Sequence, residues 1–150
     1  MGLGISSYLT IVHYAQGQVP LLCTTGGAVN CEQVTTSPES MIGPLPVAVF
    51  GVAWFLILLA LVMLPRLGAL PGAASQIWQT AQLSWSTVGL LVVLYLIYAE
   101  LFLIGAICLW CSAVHVLVFV QFLAAVNDYI KNGDAIADED EKRPPRTSRA

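Results

Sequence analysis

The chain has 150 residues, of which 57% are hydrophobic and only 10% charged, with a formal net charge of −3 and a mean hydropathy of +0.78. Soluble domains carry a charged share of about 25%, so this composition excludes an ordinary soluble fold. No nucleic-acid partner is expected, whereas membrane lipid is.

Read in chain order, Leu3 to Val19 is the first and weakest candidate span. It contains His13, Gln16 and Gln18, and Gly17 interrupts it. A signal peptide is the rival reading, but no basic segment precedes the apolar run and no clear small-x-small cleavage site follows it. A retained helix over 3–19 is therefore expected. Pro20 to Pro46 is a long loop rich in Gly, Thr, Ser and Pro, and loops of that length usually carry function or disorder. Its apolar pairs, Met41-Ile42 and Leu45-Pro46, are expected to lie on the membrane.

Gly43 to Leu64 is free of charge and long enough for a hydrocarbon core of ~30 Å, which takes about 20 helical residues. A helix over 44–64 is expected, with Pro44 and Pro46 in its first turn and Pro65-Arg66 closing it. Pro71-Gly72 is a turn signal, and Trp78 and Trp85 read as interfacial belt residues. Leu83 to Val126 is interrupted by one carboxylate, Glu100, and is about twice the length of one span. It predicts two helices, 84–104 and 106–128, reversing at Gly105. Residues 131–150 are charged and Pro-containing, which predicts a disordered tail. The fold class is thus an all-α integral membrane protein: one domain over 1–130, a four-transmembrane-helix bundle with a long extracytoplasmic loop between helices 1 and 2.

The basic residues set the orientation. They are Arg66, Lys131, Lys142, Arg143, Arg146 and Arg149, while the loop from Gln18 to Ile42 has only Glu32 and Glu39 as charges. By the positive-inside rule the second connection and the C-terminus are cytoplasmic. Both cysteine pairs, Cys23/Cys31 and Cys108/Cys111, then lie on the extracytoplasmic side, where disulfides persist.

Cys108-Leu109-Trp110-Cys111 is a CxxC pair at the start of the last predicted helix. Two thiols three apart can close a disulfide within one turn, and a helix N-terminus stabilises a thiolate. The alternative is a pair of inert buried cysteines. Cys23 and Cys31 read either as a structural disulfide pinning the loop or, with a CxxC at the membrane edge, as a redox relay. A zinc site is weighed as well, but the second half has the wrong spacing, and no metal is expected.

His115 lies four residues after Cys111, on the same face of the helix. It is a candidate hydrogen-bond donor to a quinone carbonyl or a proton carrier beside a thiolate; a structural histidine is the alternative. Glu100 is expected to face the bundle interior, as part of a proton path or as a buried structural hydrogen bond. Trp110 is either a stacking wall or an interfacial anchor, and His13 reads as interfacial or structural.

These residues together resemble the vitamin K epoxide reductase family, in its bacterial disulfide-forming branch. The resemblance rests on Cys23 and Cys31 with seven residues between them, Ser37 six after Cys31, Cys108-Leu-Trp-Cys111 opening the last helix, and Gly4 to Thr10 in the first. It implies a four-helix bundle around a quinone pocket. It also implies that Cys23 exchanges with an outer thiol partner, that Cys31 passes electrons to Cys108, and that Cys111 reduces the quinone. Ser37 matches a loop serine supporting that site, and His115 stands where the vertebrate branch has a quinone-bonding tyrosine. Val47 stands near where that branch has a quinone-bonding asparagine, a departure that argues against epoxide reduction. Many bacterial members carry a fused thioredoxin-like domain; with a short charged tail in its place here, a separate partner protein is expected.

The activity this resemblance implies is that of a disulfide:quinone oxidoreductase of the bacterial inner membrane. A separate DsbA-like thioredoxin-fold partner would be the donor, and menaquinone or ubiquinone the acceptor. The alternatives are a quinone or quinone-epoxide reductase using another thiol donor, and a non-catalytic membrane protein with a structural loop disulfide.

Overall fold

The computed structural model describes residues 1–15, 18–19, 23, 29–67 and 75–142. The elements are α1 (Gly2–Ala15), α2 (Cys31–Thr36), a 3-10 turn (Pro38–Ser40), β1 (Met41–Ile42), β2 (Leu45–Pro46), α3 (Val47–Arg66), α4 (Ser75–Tyr98), a π-helical turn (Ala99–Ile104) and α5 (Leu109–Lys142). Helix α1 packs on α3, α3 on α4, α4 on α5, and α5 returns to α1, closing a ring.

Three stretches are long and apolar enough to cross a membrane: Val47–Pro65, Ile77–Ile104 and Leu109–Lys131. Their outward faces carry large exposed apolar side chains, among them Leu91, Phe102, Val116 and Phe119. In water such surface would be an aggregation liability; against lipid tails it is the right solvent. The protein is a multi-pass membrane protein.

Helix α1 is the exception, ending at Ala15 after 14 residues where the sequence reading runs to Val19. At 1.5 Å per residue it is about 21 Å long, short of a full span.

Other boundaries move for identifiable reasons. The helix expected over 44–64 begins at Val47, because Met41-Ile42 and Leu45-Pro46 pair as a hairpin and Pro46 caps α3 rather than joining it. Pro44 stands beside Gly43 in the two-residue turn, where Gly43 has φ 63°, the sign that only glycine adopts freely at such a position. The helix expected from residue 84 starts at Ser75: hydropathy marks the hydrocarbon-crossing part, while the helix continues into polar sequence beyond it. The last helix starts at Leu109 rather than 106 and runs to Lys142, so residues 131–142 are helical where disorder is expected. Extending an existing helix avoids the cost of nucleation, and Ala135, Ala137, Glu139 and Glu141 are residue types that favour it. Residues 143–150 of the expected tail lie outside the described residues, as does the Pro71-Gly72 turn.

The reversal falls where the sequence marks it. Gly105 closes the π-helical turn with φ 69° and ψ 20°, a left-handed conformation that costs an L side chain roughly 1–2 kcal/mol.

The ring is tight where small residues face large ones. A Cβ on Gly2 would overlap the Phe55 ring, one on Gly51 would come within 3.0 Å of Ser6 Oγ, and one on Gly89 would overlap the Trp54 indole. Close approach through small residues is how helices associate without a hydrophobic drive between them. Gly89→Val is therefore expected to separate α3 from α4 and lower stability by about 1–3 kcal/mol. A lower thermal unfolding midpoint in detergent is the check; an unchanged midpoint would contradict this packing.

Candidate functional site

The site begins with a loop fastened to the α4–α5 junction. Asn30 N–H donates to the Ile107 carbonyl (3.1 Å), Val29 and Ile107 form a parallel bridge, and Gln33 Nε2 donates to the Ile104 carbonyl (3.2 Å). Asn30 also caps α2, its Oδ1 accepting from the Gln33 N–H (3.1 Å), as short polar side chains do at helix starts. Cys31 is the first residue of the helix so fixed.

Cys31 and Cys108 both have 0% exposure and belong to one buried cluster with Val34 and Ala106; Cys23, Cys111, Ile104 and Trp110 pack around it. Cys23 and Cys31 are joined by a disulfide with a Cα–Cα distance of 6.1 Å, and Cys108 and Cys111 are free thiols. The two pairs, 77 residues apart in sequence between Cys31 and Cys108, thus share one packing unit.

Cys108 occupies the N-cap position of α5. Its carbonyl accepts from Ser112 N–H (2.9 Å) and Ser112 Oγ (3.0 Å), and its sulfur accepts from Cys111 N–H (3.4 Å). The Cys111 thiol also hydrogen-bonds Cys108, and this above all holds the Cys108 thiol below the ordinary range. Stabilising the thiolate raises the ionised share of Cys108, and the thiolate is the form that takes part in exchange.

Beside the cysteines is a cavity of about 320 Å³ enclosed by α1, α3, α4, α5 and the loop. Its wall is mostly apolar, with Val47, Phe50, Trp54, Phe55, Val92 and Leu96 among its residues, and Cys111, Glu100 and His115 contribute polar groups. Small-molecule sites commonly combine such a wall with a few polar groups.

The sequence-derived residues divide between these two features. Cys111, His115 and Glu100 line the cavity, and both Glu100 (6% exposed) and His115 (7%) are buried. Trp110 packs against the cysteine cluster and meets Tyr8 with ring centroids 5.4 Å apart, away from the main cavity. Ser37 is buried, and its hydroxyl donates to the Val34 carbonyl (2.9 Å) while its carbonyl accepts from Ser40 (2.7 Å). Its contacts tie the loop to itself.

His13, Trp54, Phe55 and Glu39 also line the cavity, and sequence reasoning does not single out the last three. For Trp54 the signal emerges only with the fold: its indole N–H is buried with no partner among the described residues. His13 is read from sequence as interfacial or structural, yet it contributes to the wall.

Together these features define a membrane protein with two adjoining cysteine pairs at the edge of an apolar cavity. Residues 1–126 match the model of the vitamin K epoxide reductase family, and the chain belongs to that family, which makes it an oxidoreductase of the membrane. No curated protein matches the chain.

Exposure separates the two sulfurs of the loop disulfide: Cys23 is half-buried and Cys31 fully buried. After mild reduction, Cys23 is expected to be alkylated first by a hydrophilic reagent, with Cys31 and Cys108 well behind. Site-resolved mass spectrometry reads the order, and equal labelling of Cys23 and Cys31 would contradict the packing.

Proposed function

We propose that the chain is a disulfide:quinone oxidoreductase that reoxidises a thioredoxin-fold protein of the DsbA type. The observation that carries this reading is the shared packing of Cys31 with Cys108, beside a cavity that Cys111 itself lines. In this reading α1 completes a four-helix membrane bundle with α3, α4 and α5. Arg66 and the basic residues of the tail support a cytoplasmic location for the second connection and C-terminus, which would leave the cysteines on the extracytoplasmic face of a bacterial inner membrane.

A thiolate of the reduced partner attacks Cys23, the more accessible sulfur, and the partner's second thiol then resolves the mixed disulfide. The loop is left with two thiols. Cys31 attacks Cys108 of an oxidised Cys108–Cys111 pair, forming a Cys31–Cys108 bond and releasing Cys111 as thiolate. Cys23 then attacks Cys31, restoring the loop disulfide and leaving Cys108 and Cys111 reduced. Each step exchanges one S–S bond for another, with direction set by relative potentials. The described arrangement, loop disulfide closed and CxxC reduced, corresponds to the end of this sequence.

The residues fit a quinone. The cavity is apolar, of small-molecule size and next to a reduced dithiol, and menaquinone and ubiquinone both have an apolar tail and a ring with two acceptor oxygens. When bound, a quinone supplies a two-electron acceptor. His115 is placed to donate a hydrogen bond to a ring oxygen, and the apolar wall excludes water. Ser37 and Trp110 support the site from behind, through the loop and the cysteine cluster. Val47 lines the cavity but offers no side-chain hydrogen bond, which favours quinone reduction over epoxide reduction.

The test is quinol production by purified protein fed a reduced thioredoxin-fold partner. Activity is expected in the native chain and absent in Cys111→Ser. Cys31→Ser is expected to block transfer between the two pairs. Full activity in either variant would overturn the relay, and no quinol from the folded native chain with several quinones would favour a structural loop disulfide.

A further inference from the structure

Glu100 is a buried carboxyl placed by an unusual piece of backbone. It lies in the π-helical turn Ala99–Ile104 that follows α4, and π-turns inside helices often mark functional sites. In that turn Glu100 is buried, only 6% exposed. There its carboxyl lies beside the Cys108 backbone N–H and the Cys111 thiol. It also lines the cavity, as Cys111 does. A carboxyl in a membrane-spanning segment is costly, and the Cys108 N–H alone would be satisfied by any carbonyl oxygen. Its place beside the Cys111 sulfur, on the wall of the cavity both residues line, is the feature a structural role leaves unexplained.

We infer that Glu100 is the base that removes the Cys111 proton when the Cys108–Cys111 pair is oxidised. Oxidation breaks two S–H bonds, forms one S–S bond and releases two electrons and two protons. As the Cys111 S–H bond breaks, its electron pair stays on sulfur and its proton passes to a Glu100 carboxylate oxygen. The electrons leave to a two-electron acceptor, a quinone under the function proposed above; the Cys111 proton follows from Glu100 to the reduced acceptor or to water, and the Cys108 proton passes to water. The other titratable groups facing the cavity are His13 on α1, Glu39 in the loop and His115 on α5. Of these and Glu100, Glu100 is the one that lies beside both cysteines.

Glu100→Gln separates the base from the scaffold. The amide oxygen can still accept from the Cys108 N–H, while the side chain can no longer take a proton. The first readout is the infrared difference spectrum between reduced and oxidised Cys108–Cys111, driven by dithiothreitol and diamide with no quinone present. A carboxyl C=O band is expected to change with the Cys111 S–H band in the native protein, and to be missing in Glu100→Gln. The second readout is quinol production, expected to fall about 100-fold in Glu100→Gln, the scale of a lost general base, and to recover in part in Glu100→Asp. Alkylation of the loop thiols is the control for fold and is expected to match native.

A native carboxyl band that stays still while the S–H band disappears would overturn the assignment, as would a native rate in Glu100→Gln. If the band moves but no quinone is reduced, Glu100 keeps its role and the proposed acceptor is wrong.

Discussion

The arrangement depends on a short seam of hydrogen bonds to backbone carbonyls. Asn30 and Gln33 bond to carbonyls of Ile107 and Ile104, clamping the loop onto the reversal between α4 and α5. That reversal is an irregular stretch whose carbonyls are not all used by helix bonds. At the edge of a membrane, such groups need partners. The loop provides them, and the same contacts bring Cys31 against Cys108. One requirement, satisfying the turn's backbone, thereby fixes the register of two cysteine pairs that are far apart in sequence.

Irregularity is concentrated at this end of the molecule. The π-helical turn, the left-handed Gly105 and the Cys108 cap occur within ten residues, whereas α3 and the body of α4 are regular. The regular parts bind one another through Gly2, Gly51 and Gly89, where backbones come close: Phe55 and Trp54 rings fill the space opposite Gly2 and Gly89, and Ser6 that opposite Gly51. Rigid helices below and a shaped rim above let a cavity exist without the bundle collapsing into it. Trp54 serves both parts: its ring packs on Gly89, its carbonyl accepts from Trp85 Nε1 (3.3 Å), and it contributes to the cavity wall.

Much of this is legible in the sequence where one residue type has one strong meaning. Gly105 between two apolar runs reads as a turn because few residues tolerate that backbone. The spacing of Cys108 and Cys111, and the position of Glu100 in an apolar helix, announce chemistry for similar reasons. Helix ends are less legible: α4 reaches back to Ser75 and α5 forward to Lys142, because hydropathy reports what lipid solvates while helix formation also follows propensity and continuity. The hairpin at 41–46 is obscured by its two prolines, which fit a helix start equally well. Cavity residues such as Phe55 and Glu39 carry no local signal, since their importance comes only from which helices surround them.

Burial gives the two pairs different chemistry from the same element. Thiol exchange needs an incoming sulfur in line with the bond it breaks, so an accessible sulfur takes external partners and a buried one excludes them. Cys23 is the half-buried end of the loop disulfide, whereas Cys31 and Cys108 have no exposed surface. In the proposed relay a protein thiol from outside would meet the first pair, and the second would be reduced through Cys31. Cys111, partly exposed to the cavity rather than to the loop, looks the other way. Order along such a relay therefore follows from access more than from intrinsic reactivity. Opening the Cys31–Cys108 contact to water would cost direction before it cost rate, because external thiols could then reach the second pair without passing through the first.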